Sequence, residues 1–420
     1  MIDQQLLDDI DEALARKEIK RAEVILARLL RGKDFKSEER AALLVRRARA
    51  RLEGARPDDA LEDLQTALAL DQTLEKDVRT RILRGDIYFA RFELAPFGFA
   101  DRADTDTARA CYESILETVS KHPLISWAHY QLGRILLSEN NVESAAEHFQ
   151  KAIAVPPYPP NIHALCYERL GFIELFERRQ AESALRYFNL AIEHYPSSDD
   201  PGWLIQLYLR ISRAYLELGR HQEALDTGRR ALRGIQDGST YRAALPEAHF
   251  ALGEVLSTMQ GNEAEAIEHY LRFLQSSKRP LGIDVTWSQV HETIGNLSFR
   301  LERYQQAIAS YEKALEFNPY HPWEVNLRYQ IARCYYRMRD YERTVEAIEK
   351  MKKTADSDNA PITDWRVYNL LGNANFALEK YRSAAEAYRR AIELATPSAA
   401  GLEKTHIYLR FSEELMRSPN

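Results

Sequence analysis

Residues 132–157 read LGRILLSENNVESAAEHFQKAIAVPP. Within this stretch stand Leu132-Gly133, Ala145, Phe149, Ala152 and a closing Pro157. The same word returns as Ile294-Gly295, Ala307, Tyr311, Ala314 and Pro319, and again as Leu371-Gly372, Ala384, Tyr388 and Ala391. The interval from glycine to alanine is 12 residues in these three copies and 13 in two more, Gly171 to Ala184 and Gly253 to Ala266. An aromatic follows the alanine by four each time: Phe149, Phe188, Tyr270, Tyr311 and Tyr388. A spacing of four puts alanine and ring on one helix face. The glycine lies on an earlier helix, where it costs about 1 kcal/mol against alanine. Its return therefore marks a close helix–helix contact that a larger side chain would block. The unit is a helical hairpin of about 38 residues, written about ten times.

Short polar turns such as SENN, RLER and ALEK join the two helices, as a tight antiparallel connection requires. Prolines such as Pro157, Pro196 and Pro319 end the second helix, because proline cannot continue the hydrogen-bond ladder. No segment alternates apolar and polar residues with period two, so strands are not expected.

The pattern resembles the tetratricopeptide repeat, whose signature is L-G-x2-Y, then A-x3-F, then a terminal proline. The resemblance covers almost the whole chain. It implies an all-α fold: a right-handed superhelical solenoid of about ten antiparallel helix-turn-helix repeats plus a C-terminal capping helix. Repeats are expected to start near residues 3, 41, 78, 126, 164, 205, 246, 288, 325 and 365, with the capping helix at 401–417. The end repeats are degenerate, as units with solvent on one side should be. Most spacings are 36 to 42 residues, longer than the family's 34. One interval, Gly85 to Ala108, is 23 residues. The excess predicts a loop insertion at 92–104 carrying Phe92, Phe97 and Phe99. Those rings serve either as a satellite core under the loop or as a recognition loop.

The bulk numbers narrow the function. The formal net charge is −6 and charged residues make up 29% of the chain; a general nucleic-acid binder should be basic. The N-terminus has no basic region followed by an apolar run, and no stretch reaches the apolar length of a membrane span. Cys111, Cys166 and Cys334 are far apart and form neither a CxxC pair nor a metal-ligand spacing. They read as buried small hydrophobes of a protein in a reducing interior, the cytoplasm. There is no phosphate-cradling glycine loop, no GxSxG and no HExxH, so neither an enzyme nor a cofactor is expected. His129, His249 and His291 each stand four residues before a repeat glycine, a regularity that points to packing between helices.

What remains is a surface. In the family resembled, the first helix of each hairpin lines the groove, at positions one after, two or three before and six before the glycine. Here those positions hold Arg46, Arg49, Arg79, Arg134, Arg169, Arg210 and Arg213, then Glu247, Glu254 and Glu292. The C-terminal part supplies Asn296, Asn326, Tyr329, Arg333, Tyr336, Arg366, Asn369 and Asn373. The resemblance implies a non-enzymatic scaffold that holds an extended or helical acidic segment of a partner protein. Arginines would fork onto carboxylates, and asparagine amides would pair with the peptide backbone. The rival is a regulatory receptor enclosing a small signalling peptide or other small ligand, in a closed pocket lined by Arg213 and Glu254. RNA binding ranks below both. The lysine–asparagine clamp by which some family members seize a C-terminal carboxylate finds no match in three consecutive repeats. Exposed terminal faces leave self-association open.

Overall fold

The computed structural model describes residues 4–16, 18–31, 35–96, 99–119, 121–196, 201–237, 239–280, 284–318, 324–357, 361–396 and 399–417. Among these residues there are 21 α-helices and no strand. The chain divides into two compact units, residues 1–207 and 208–420. The first holds five hairpins: α1 (Gln4–Ala15) with α2 (Ile19–Leu30), α3 (Ser37–Glu53) with α4 (Pro57–Leu70), α5 (Val78–Leu94) with α6 (Arg102–Thr118), α7 (Ile125–Ser138) with α8 (Val142–Ile153), and α9 (Ile162–Phe172) with α10 (Ala181–Glu193). The boundary falls within α11 (Pro201–Glu217). The second unit continues with α12 (His221–Asp237). It then pairs α13 (Leu245–Thr258) with α14 (Glu263–Ser276), α15 (Val285–Arg300) with α16 (Tyr304–Phe317), α17 (Glu324–Arg337) with α18 (Tyr341–Ser357), and α19 (Trp365–Ala377) with α20 (Tyr381–Leu394). It ends in α21 (Leu402–Arg417). In the first unit α3, α5, α7 and α9 touch in succession, as do α17, α19 and α21 in the second. The first helices of these hairpins thus form a layer of their own.

The repeated word is a lock between the two helices of one hairpin. A Cβ built on Gly133 would lie 2.6 Å from the Phe149 ring, and one on Gly171, Gly295 or Gly372 would lie 2.5 Å from Phe188, Tyr311 or Tyr388. The rings and the alanines four residues before them are fully buried, each ring contributing about 2–3 kcal/mol of apolar burial. The glycine is required because the ring lies flat on its backbone.

The turn closes by a second local rule. After α7, the Asn141 N–H donates to the Leu136 carbonyl and the Asn140 N–H to Leu137, a Schellman pair satisfying carbonyls that the helix end would orphan. The same two bonds close α3, α11, α15, α17 and α19. The left-handed residue this needs is Gly219 after α11, but Ala55, Asn140, Glu302, Arg339 and Glu379 elsewhere.

Several sequence expectations change. The insertion at 92–104 is helical at both of its ends. α5 runs on to Leu94 and α6 starts at Arg102, so only 95–101 connect them. The added helix is anchored: Phe92 is half-buried and stacks on Phe89 at 6.5 Å. Arg91 donates to Asp104 (3.0 Å) and Asp58 (2.9 Å), and Asp101 caps α6 by accepting from the Ala103 N–H. Phe92 therefore belongs to the core of its hairpin, while Phe99 is 79% exposed. Phe97 and Pro319 lie outside the described residues. The 13-residue interval after Gly171 arises from a π-helical turn at Ile173–Glu177. α21 packs on α19 and α20 with Leu402, Thr405 and Ser412 buried, and leaves Ile407, Phe411, Leu415 and Met416 exposed.

The histidines before the glycines pack as expected from their spacing. His129 Nδ1 meets His148 Nδ1 at 3.2 Å, and His249 Nδ1 meets His269 Nδ1 at 2.9 Å. His291 stacks on Phe317 at 5.6 Å. Tyr167 and Tyr187 occupy the same two positions in the fifth hairpin and stack at 6.4 Å.

Candidate functional site

In the first unit four of the nominated arginines are engaged at close range, while Arg79 stands exposed at the start of α5. Arg46 makes two bonds to Asp11 (2.9 and 3.0 Å), Arg49 pairs with Glu53 (3.0 Å), and Arg169 Nε lies 3.3 Å from Glu168. Arg134 donates to Glu93 and, at 2.8 Å, to Gln131 Oε1, with its guanidinium 4.8 Å over Phe89 and 5.8 Å over Tyr130. Beside it Asp86 accepts from Tyr112 OH (2.6 Å), Gln131 Nε2 (2.8 Å) and Trp127 Nε1 (3.0 Å). Burial pushes the Asp86 carboxyl above the ordinary carboxylate range, against the pull of those bonds and of Arg134. This is a closed polar network whose donors and acceptors face one another.

In the second unit Arg213 is likewise engaged, with Glu254 (2.8 and 2.9 Å) and Glu217 (2.9 Å). Arg213 and Glu254 thus bond to each other directly instead of facing each other across an enclosed space. Arg210 is half-buried on α11. Asn296 is exposed and its Oδ1 accepts from Tyr311 OH at 2.8 Å; Asn326 accepts from Gln330 at 3.3 Å.

The structure brings together Tyr329, Arg333, Arg366, Asn369 and Asn373. With Tyr336, Arg337 and Leu370 they line a cleft of about 280 Å³ between α17 and α19. Every polar side chain in it can donate, and both asparagine oxygens already accept a hydrogen bond. Asn373 Oδ1 accepts from Tyr388 OH, and Asn369 Oδ1 from Thr405 Oγ1, both at 2.9 Å, so each presents its N–H2 outward. Each asparagine thus has one acceptor lone pair engaged within the protein and keeps its amide donors for a ligand. Arg333 donates to Gln330 at 2.7 Å, with its guanidinium 4.6 Å over Phe299 and 5.9 Å over Tyr329. Arg366 bonds Asp364 at 3.2 Å. Among the described residues neither Arg333 nor Arg337 has a carboxylate partner, and no acid lines the cleft. Burial raises the Tyr329 and Tyr336 hydroxyls, keeping both protonated at neutral pH.

Arg337 and Leu370 were missed from sequence. Arg337 had a signal, since it follows Arg333 by four and so shares its face. A larger cleft of about 570 Å³, lined in part by Glu312, Glu316, Glu346, Arg328, Arg343 and Lys350, lies on another side of α17. Its three acids and three bases balance, so it has no charge preference of its own. Among the described residues no group of three or more His, Cys, Asp or Glu could hold a metal ion, and no helix is long and apolar enough to cross a membrane.

Comparison with known proteins gives a consistent result. Tetratricopeptide repeat models match residues 287–350, residues 99–161, and residues 205–233 with 366–396. Subunit 4 of the outer dynein arm-docking complex of Danio rerio is 24% identical over 208 residues, 48% of this chain and 42% of that protein. The chain thus matches less than half of that relative's length. Among solved structures, the C-terminal part of a TPR repeat-containing protein from Cytophaga hutchinsonii aligns with TM-score 0.46 and 16% identity, over 66% of this chain and 98% of that one. The first TPR of Spaghetti (RPAP3), bound to an HSP90 peptide, aligns with TM-score 0.28 and 23% identity, over 33% of this chain and all of that one.

Proposed function

We propose, from the premise that this chain belongs to the tetratricopeptide repeat family, that it is a non-enzymatic scaffold that captures an acidic segment of a partner protein in the α17/α19 cleft. Repeats of this family generally mediate protein–protein interaction. The finer assignment rests on one observation: the cleft presents guanidinium, amide and hydroxyl donors with no acid among them. A ligand there must bring acceptors. A carboxylate is all acceptor when ionised, and arginine forks onto it with two parallel bonds. In a chain of net charge −6, such a cleft is a local reversal of sign that steers an acidic segment to one place.

Arg46, Arg49, Arg134 and Arg169 of the first unit play no part in this reading, because their charge is already met by acids of the same unit. The free, largely buried cysteines support a place in a reducing compartment, the cytoplasm. The proposal is tested by fluorescence anisotropy with a labelled acidic peptide and the full chain. Arg333→Glu should weaken binding about 100-fold and Arg49→Glu should leave it unchanged. Equal binding by wild type and Arg333→Glu would refute the assignment.

A further inference from the structure

Resting on that reading of the cleft, we infer that its occupant is a phosphorylated side chain within the bound segment, held by Arg333, Arg337 and Arg366 from α17 and α19. The first argument is charge. Three guanidinium groups line the cleft and one carboxylate, Asp364, contacts one of them. Two positive charges are left over, matching the roughly −1.5 to −2 of a phosphoryl group near neutral pH.

The second argument is the form of the donors. The Arg333 guanidinium carbon lies 4.6 Å over the Phe299 ring and 5.9 Å over the Tyr329 ring, and one N–H is spent on Gln330. The free N–H groups therefore lie in the plane of the fork, the geometry that grips a phosphate with two parallel bonds. The Asn369 and Asn373 amides are turned donor-outward by Thr405 and Tyr388. A phosphoryl group brings three acceptor oxygens on one centre.

The third argument is polymer geometry. Consecutive side chains of an extended peptide point to opposite sides. Two neighbouring carboxylates thus cannot both enter a cleft of about 280 Å³ from an extended segment. One phosphorylated residue delivers both charges through a single side chain.

The test titrates the full chain by calorimetry with an otherwise uncharged short peptide bearing at its centre one phosphoserine, one glutamate or two adjacent glutamates. The phosphoserine peptide should bind at least about tenfold more tightly than either glutamate peptide, the size expected for one added charge-assisted bond. Arg337→Glu, which removes an exposed side chain outside the packed core, should erase the difference, and Arg49→Glu should preserve it. Phosphoserine and glutamate peptides of equal affinity, both lost in Arg337→Glu, would overturn this inference and leave the acidic-segment reading standing. Binding of none of the three would overturn both.

Discussion

Arg134 in the first unit and Arg333 in the second are built alike and end differently. Each stands one residue after the glycine position of its hairpin, Gly133 or the Ala332 that replaces glycine. Each bonds a glutamine three residues earlier, Gln131 or Gln330. Each lies over a tyrosine four residues earlier, Tyr130 or Tyr329, and over a phenylalanine of the preceding first helix, Phe89 or Phe299. The difference is what meets the charge. One residue after the preceding glycine stands Asp86 in the first case and Asn296 in the second, each holding a tyrosine hydroxyl. Four residues beyond Phe89, the lengthened α5 carries Glu93 to Arg134. α15 ends at Arg300, one residue past Phe299, and carries no acid to Arg333. The insertion in the third hairpin thus supplies the turn of helix that closes one arginine, and its absence in the eighth leaves the other available. One cradle is closed by acids of its own unit, and the other is the site we propose.

That contrast can be broken by substitution. Arg333→Glu should weaken acidic-peptide binding about 100-fold, since a charge-assisted pair of about 1.5–3 kcal/mol is replaced by repulsion; anisotropy reads this, with thermal unfolding unchanged within a degree or two. Arg134→Ala should do the reverse, leaving binding intact while leaving Asp86 and Glu93 without a cation. The expected loss is about 1–2 kcal/mol by urea unfolding at unchanged m-value. The double change Asp86→Asn with Glu93→Gln should convert the closed cradle towards the open one. Weak capture of the acidic peptide at a second site in the first unit is expected, about tenfold poorer than at α17/α19, seen as a stoichiometry above one.

Acid should affect both units alike. Burial holds His129 and His249 down to about 4, with each partner histidine also lowered. His148 and Lys151 face His129. His269, Arg272 and Glu268 face His249, while Glu265 and Arg229 add to the field at His269. The unfolded chain binds these protons first, so this stability is fully present above pH 6.5 and is lost as pH falls towards 4. A loss of about 1–2 kcal/mol per pair near pH 5 is expected. It should vanish for the pair replaced by His129→Tyr with His148→Tyr, the pairing already used by Tyr167 and Tyr187. The smallest effect sits at the turn after α19. Glu379→Gly relieves a left-handed residue at φ 59° and should add about 0.5–1 kcal/mol without altering peptide affinity.

The fold was legible because its determinants are local. Gly133 and Phe149 are joined by one hairpin, and the periodicity that sets their faces needs no distant partner. The cleft was half legible. Tyr329, Arg333, Arg366, Asn369 and Asn373 were found by position within the repeat, and position is what gathers them. Arg134 and Arg213 satisfied the same rule and failed, because the acids that close them, Glu93 and Glu254, stand 41 residues away. Whether Glu93 arrives depends on how far α5 continues, and the proline and glycine after Phe92 give the sequence there the look of a loop. The asparagine roles had a missed signal. At three of the four tyrosine ring positions, Tyr112, Tyr311 and Tyr388, the residue after the glycine is Asp86, Asn296 or Asn373, an acceptor for the hydroxyl. Where the ring is Phe149 or Phe188, that residue is Arg134 or Phe172.

The central claim, that one cradle is open and its twin closed, is tested most directly by photo-crosslinking. An acidic peptide carrying a photoreactive residue is bound to the full chain, irradiated, and the adducts are mapped by mass spectrometry. The account predicts adducts within α17 and α19, between Tyr329 and Asn373. Adducts centred on α5 and α7, around Arg134, would contradict it.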